Sequence, residues 1–460
     1  MRRTPPDRPD DEGMSLVEVL VAMMIFAVIS TGIIFTMLSM LSVTRDSRAR
    51  QVALNLASEE VDDARTSGDL FELLDGERAV QVNDTTYHVK RTTRWVTDPG
   101  QDLQCGTSGS AAGSTLRYKR VNVEVTWDNM RSQTQPVRSD TVVSPDTHLN
   151  DPTLGTILVS VLSGDGTGRP GVGVSATVGN PANGAKGLAV TPAATDAQGC
   201  SYILKVVPGN YDVKVSRAGY VDHKQNSVGT LTIGVGPGTS ASAGFQYDQA
   251  ATVTPRLAAN YVPLPGEKVL TPPSLDLSYV SSYGTYLPPT GTASSKVFPF
   301  ASGYSVFAGK FVEESESSAG CVAVDPSRWQ PVVEGAVTFG PPPATPVTTT
   351  PGGSVTADVW MGVLQVGGNG RYIQAKSAAP QSGTPGCSEP MTYTFDLGTT
   401  AASAASAPTI ALPPGTWTIT RGPNLAPTGV VPATQMALKT RGSVPAPGIV
   451  LLDPRVEVVP

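Results

Sequence analysis

The stretch GMSLVEVLVAMMIFAVISTGIIFTMLSMLSVTRDSR, residues 13–48, decides how the rest of the chain is read. From Val19 to Val43 it runs 25 residues without a charged side chain, and 19 of them are apolar. At about 1.5 Å per residue, a helix of that length exceeds the roughly 30 Å hydrocarbon core of a bilayer. The run is too long for the apolar region of a secretory signal, and no small-residue cleavage site follows it. Thr44-Arg45-Asp46-Ser47-Arg48 turn abruptly polar, so the segment reads as a membrane span. Upstream stands a polar leader, Met1–Gly13, and Glu18 interrupts the apolar sequence five residues after it. A carboxylate at that depth is costly and needs a partner.

The run Gly13-Met14-Ser15-Leu16-Val17-Glu18 resembles the class III signal of type IV pilins and pseudopilins. The resemblance implies that a prepilin peptidase cuts after Gly13 on the cytoplasmic side and methylates the new amine of Met14. It also implies the location, a single-pass protein of the cytoplasmic membrane with its C-terminal region outside, which reaches a pilus or the cell surface after assembly. The implied partners are the peptidase, other pilin or pseudopilin subunits and membrane lipid. The chemistry is coherent apart from the family. Cleavage leaves a cationic amine at Met14, with Glu18 one helical turn along. In a filament, Glu18 of one subunit neutralises the Met14 amine of a neighbour, which offsets the desolvation of both charges and sets the axial register. Two departures from the family pattern are Met14, where phenylalanine is commoner, and an acidic leader, with Arg2, Arg3 and Arg8 against Asp7, Asp10, Asp11 and Glu12. Arg45, Arg48 and Arg50 flank the other end of the span, so topology rests on the motif and not on charge bias. The competing reading is an ordinary signal anchor with an incidental glutamate.

The helix is predicted to continue past the membrane. Ala49, Val52, Ala53, Leu56 and Ala57 recur at three- and four-residue spacing, and Thr66-Ser67-Gly68 stops the pattern. Leu16 to Arg65 would span about 75 Å. Strands are predicted at Tyr87–Trp95, Tyr118–Trp127 and Val137–Val143, with a Gly/Ser loop at Asp98–Ser114 that contains Cys105. Alternation makes Tyr118–Trp127 a half-buried antiparallel strand whose basic residues sit on a solvated face.

Composition supports strands beyond that point. The 460 residues include 47 glycines and 40 prolines, nearly a fifth of the chain against an average of roughly 12%. Charged residues are 16%, below the usual ~25%, and a mainly helical protein is thereby ruled out. Residues 1–150 hold 37 charged side chains and residues 151–460 only 35, which marks a boundary near Asn150. The net charge of −6 speaks against nucleic-acid binding through a broad basic surface.

Within the C-terminal part, Thr195-Asp196-Ala197-Gln198-Gly199, Pro208-Gly209-Asn210-Tyr211 and Gly219-Tyr220 resemble the turns of the carboxypeptidase-regulatory-like module. That resemblance implies a transthyretin-type sandwich over 151–250, an accessory module without a catalytic centre. Pro414-Gly415-Thr416-Trp417 repeats the Pro-Gly-x-aromatic pattern, and Gly303-Tyr304 is a weaker copy. Tyr211, Tyr304 and Trp417 are 93 and 113 residues apart, about one sandwich each. Two further β-modules, 251–345 and 346–460, are expected on that basis, with chance recurrence in a Gly/Pro-rich chain as the alternative.

Four cysteines allow three pairings, and none forms a C-x-x-C motif, so zinc and thioredoxin-like chemistry are unsupported. Export favours disulfides, with Cys321–Cys387 the first choice. Cys105 and Cys200 either tie the first domain to the first sandwich or remain free buried thiols. His88, His148 and His223 are the only histidines, and none lies in a metallopeptidase pattern. No nucleophile elbow or P-loop occurs, and Gly171–Ala176 matches a dinucleotide fingerprint only loosely. Glu313, Glu314, Glu316 and Asp325 invite calcium, but a solvated loop is the simpler reading.

The expectation is therefore a helix with a small antiparallel sheet and an all-β C-terminal region of two to three sandwich modules. Its parts are a leader 1–13, an apolar helix half 14–44, an amphipathic half with a pilin-like sheet 45–150, and the three modules. Functionally it is a minor pilin or pseudopilin without cofactor or catalysis, presenting β-modules to a surface protein or glycan. The alternatives are a mechanical pseudopilin of a secretion or DNA-uptake machine and a membrane-anchored surface hydrolase.

Overall fold

The computed structural model describes residues 16–67, 70–71, 73–97, 102–103, 116–130, 134–144, 151–315, 320–344, 346–388, 390–398 and 407–458. They form two compact units, which meet in sequence near Asn150.

The first unit is built on one helix, α1, Leu16–Thr66, 51 residues long. It ends where Thr66-Ser67-Gly68 was expected to end it. Behind it stands an antiparallel sheet of β1 (Gly76–Val82), β2 (Thr85–Thr97), β3 (Asp102–Leu103), β4 (Leu116–Trp127) and β5 (Val137–Val143). The order is β1-β2-β4-β5, with β3 on β2. The β1–β2 hairpin turns on Asn83, whose φ of 54° lies in the left-handed region that asparagine tolerates.

One parity decides which side chains reach the helix. Val121 lies opposite Thr141, Val123 opposite Ser139 and Val125 opposite Val137, and on β2 Val89 faces Val125. The valines of this parity, with Tyr87, Trp95, Trp127 and Thr141, form the buried face. Ala53, Leu56, Ala57, Val61 and Ala64 of α1 close over it. Each large aliphatic buried this way contributes about 1.5–3 kcal/mol. The same parity corrects the expectation for β4. Arg120 is on the open face, but Lys119 shares the side of Val121 and is 1% exposed. Its Nζ donates to the Leu70 carbonyl at 2.9 Å and lies 5.3 Å from the Trp95 ring centroid.

The second unit opens with seven strands in two facing sheets. They are β6 (Gly155–Leu162), β7 (Gly173–Val178), β8 (Cys200–Val206), β9 (Gly209–Ser216), β10 (Tyr220–Asp222), β11 (Val228–Val235) and β12 (Ser240–Gln249). One sheet runs β10-β12-β6-β8 and the other β11-β9-β7. A single core joins them through Ile157, Val159, Tyr211, Val213, Phe245 and Tyr247. The β6–β12 pair is parallel, so first and last strands lie side by side. The loose dinucleotide match at Gly171–Ala176 leads into β7 and not into a helix, so it has no phosphate-binding helix N-terminus.

Beyond Gln249 the chain does not break. Ala250 is buried, and β13 (Ala251–Leu257) pairs in parallel with Ser354–Val359. Val269–Leu270 pairs with Thr409–Leu412 in the same way. One continuous core holds Leu275, Tyr279, Phe298, Val363, Leu364, Trp417 and Leu452. The expected division into modules 251–345 and 346–460 is therefore corrected. Segments 251–345 and 346–460 interleave in one β-body, because strands from before the division pair with strands after it.

The repeated Pro-Gly-x-aromatic pattern is a shared turn. Gly209 and Gly415 open strands at φ values of 148° and 134°, and the aromatic two residues on is buried. Tyr211 Oη donates to the Val207 carbonyl at 2.8 Å, and Trp417 Nε1 donates to the Pro413 carbonyl at 2.9 Å. In both, the acceptor is four residues earlier, so the ring locks its own turn.

Candidate functional site

The site of interest is α1, and its two halves are chemically opposite. From Leu16 to Val43 almost every side chain is exposed, Phe26 and Phe35 among the most open. The span's most apolar 18-residue stretch has a mean hydropathy of 2.5, and none of that stretch is buried by the rest of the chain. Its threonine hydroxyls are satisfied locally. Thr31 donates to the Ala27 carbonyl at 2.6 Å, Thr36 to Gly32 at 2.9 Å and Thr44 to Met40 at 2.9 Å. A helix whose polar groups bond within itself is suited to hydrocarbon or to packed neighbouring helices.

The second half is held by charge as well as by packing. Glu60 is 6% exposed and lies among the buried alanines, leucine and valine of the sheet-facing stripe. Arg91 Nη1 donates to its Oε1 at 2.7 Å and Arg78 Nε to its Oε2 at 3.0 Å. The hydrogen bond from Arg78 to Glu60 raises the Arg78 pKa above its ordinary value. Arg91 Nε also donates to the Leu74 carbonyl at 2.9 Å, and Asp75 accepts from the Thr93 amide. The carboxylate thus pins the helix to β1, β2 and the connection before them. The stripe read from the sequence, Ala49 to Ala57, stops short of Glu60. The available signal was spacing, since Glu60 follows Leu56 by four and Ala57 by three, on the stripe that must be apolar.

Glu18 lies in the first turn of α1. Its side chain, Gly13, Met14 and Cys105 are outside the described residues. Cys321 and Cys387 are joined in a disulfide that closes a separation of 66 residues, and Cys200 is disulfide-bonded. Among the described residues no group of His, Cys, Asp and Glu is placed to hold a metal ion. Glu313 pairs with Arg328, and Asp325 caps the short helical turn Pro326–Arg328 by accepting from the Ser327 amide at 2.9 Å. Glu316 is outside the described residues. His223 packs against Tyr283 at 4.2 Å between ring centroids, and burial lowers its pKa.

Residues 8–34 match the family described as the prokaryotic N-terminal methylation motif. This prepilin-type signal implies processing by a prepilin peptidase and assembly with other pilin subunits. Together with the apolar helix it supports a membrane-anchored chain with a type IV pilin-like N-terminus. No curated protein sequence matches the chain. Among solved structures, the Bacillus anthracis TIE protein aligns over 78% of this chain and 72% of that one, at 12% identity and a TM-score of 0.20. A Streptococcal ancillary pilin aligns over 61% and 79%, at 11% identity and a TM-score of 0.19. Likeness at that level carries no argument about fold or function.

Proposed function

We propose that the chain is a minor pilin or pseudopilin, cut after Gly13, N-methylated at Met14 and drawn from the membrane into a filament. The observation that carries this reading is the division of α1. One half, within and beyond the methylation motif, is left uncovered by its own chain, and the other is pinned to the sheet by Glu60. A membrane-only anchor needs the first half alone. A filament spine needs both, because force on the buried helices must reach the exposed domain. Glu18 supplies the counter-charge for a neighbouring Met14 amine.

The role is structural and non-enzymatic, and the second unit is its presented part. A chain carrying residues 151–460 beyond the sheet crowds every position of a close-packed filament, which favours a tip or initiating place over a major subunit. The seven strands in two sheets over 155–249 suit a transthyretin-type accessory module.

Mass spectrometry of the membrane-extracted protein from its native host tests the processing, with N-methyl-Met14 expected as the first residue. An intact Met1, or cleavage beyond Val43, refutes it. For assembly, Glu18→Ala should remain in the membrane fraction, while wild type appears in both membrane and sheared surface fractions. Equal recovery of both proteins in the sheared fraction removes the assembly role of Glu18.

A further inference from the structure

We infer that the second unit carries a binding cleft for a neutral saccharide, centred on Trp360. The inference stands apart from how the chain is anchored. It begins with strand alternation. Around Ser354–Val359, Ala357, Val359 and Met361 point into the core, so Asp358 and Trp360 point outward. On Ser305–Ala308, Val306 and Ala308 are buried, and Ser305 and Phe307 point outward. Outward positions on a β-body are ordinarily polar. Here two neighbouring segments each offer a half-buried aromatic to the same cleft, which has a volume of about 170 Å³. Phe311 backs the floor, 5.8 Å from Phe307 between ring centroids.

The rim decides the ligand class. Asp358 is held by Arg256 through two bonds of 2.7 and 2.6 Å, and Glu313 is paired with Arg328. Asp325 fixes the Ser327 hydroxyl, which donates to it at 2.7 Å. Three carboxylates thus face the two guanidinium groups of Arg256 and Arg328, each charge is engaged in at least one ion pair or hydrogen bond, and the net charge of one negative disfavours an anionic ligand. Oriented carboxylates and guanidinium groups still have lone pairs and N–H groups free for hydroxyls. An apolar aromatic floor with such a rim fits a sugar ring, whose C–H face is apolar and whose edge is a row of hydroxyls. One wall is braced from behind. Val312 exchanges backbone hydrogen bonds with Cys321 at 3.2 and 2.8 Å, and Cys321 is bonded to Cys387.

The protein has its own reporter. Trp95, Trp127, Trp329 and Trp417 are all buried, and Trp360 is half-exposed. Acrylamide quenching of the full-length chain, in a detergent without a sugar headgroup, should therefore read chiefly Trp360. D-galactose, D-mannose, N-acetylglucosamine and their disaccharides are the probes, with an oligoarginine peptide as comparison. At least one sugar should protect Trp360 saturably. By saturation-transfer NMR, Trp360→Ala should bind that sugar at least tenfold more weakly. Glu313→Gln, an exposed change that leaves the floor intact, should weaken it several-fold. Asp396→Asn, at a separate exposed pair with Arg371, should bind as wild type. Absence of protection by every sugar, undiminished binding in both cleft variants, or protection by oligoarginine alone overturns the inference.

Discussion

Glu60→Gln tests whether the helix is pinned to its sheet by charge. The side chain keeps its size, so packing is preserved and only the carboxylate charge and one acceptor oxygen are lost. Two charge-assisted hydrogen bonds, at 2.7 and 3.0 Å, depend on that carboxylate. Bonds to charged groups are typically worth about 1.5–3 kcal/mol each. Arg91 has a side chain only 24% exposed and loses most of its compensation, whereas Arg78 is 42% exposed and regains water. Counting the first near full value and the second at a fraction gives a destabilisation of about 2–4 kcal/mol. Glu59→Gln is the matched control. Its pair with Arg78 spans 3.5 Å, and its side chain is 57% exposed, so the change should stay within about 0.5 kcal/mol. The assay is denaturant unfolding of the full-length protein in detergent, followed by near-ultraviolet circular dichroism of Trp95 and Trp127, which lie on the sheet face under the helix. Equal effects of the two substitutions would refute the clamp.

Other consequences are open to measurement. Gly209 has a φ of 148°, and a Cβ there would lie 2.1 Å from the Ala185 amide nitrogen, so Gly209→Ala should destabilise the second unit by about 3 kcal/mol or more in thermal unfolding. Removing the disulfide by Cys321→Ala with Cys387→Ala frees a 66-residue separation and should cost about 4 kcal/mol on the chain-entropy estimate, read from the shift in denaturant midpoint. Glu267 accepts from Thr409, Tyr261 and the Leu264 amide, which lowers its pKa from 4.5 to about 2. A depressed folded-state pKa stabilises the fold above the unfolded value, and that stability is lost as pH falls from about 4.5 toward 2. Glu267→Gln should therefore flatten the acid side of a melting-temperature profile in that window, and an unchanged slope would contradict the assignment.

What the sequence determined by itself was whatever depends on neighbours along the chain. The uncharged run Val19–Val43, the small-residue stripe to Ala57 and the stop at Thr66-Ser67-Gly68 define α1, since helical periodicity is a local property. Alternation likewise placed the strand Val137–Val143 and the core of β4. The methylation motif was legible for the same reason, being contiguous. Tertiary structure alone decided the rest. That Lys119 turns inward follows from the register of β4 on its neighbours and from the Leu70 carbonyl it meets. That Glu60 belongs on a buried stripe depends on Arg78 and Arg91, 18 and 31 residues away. Segments 251–345 and 346–460 became one body because Val253 lies beside Val355 across a parallel pair, a choice that no local pattern encodes. Trp360 and Phe307 share a cleft for the same reason. Periodicity tells which way a side chain points relative to its own strand, and only strand pairing tells what it points toward.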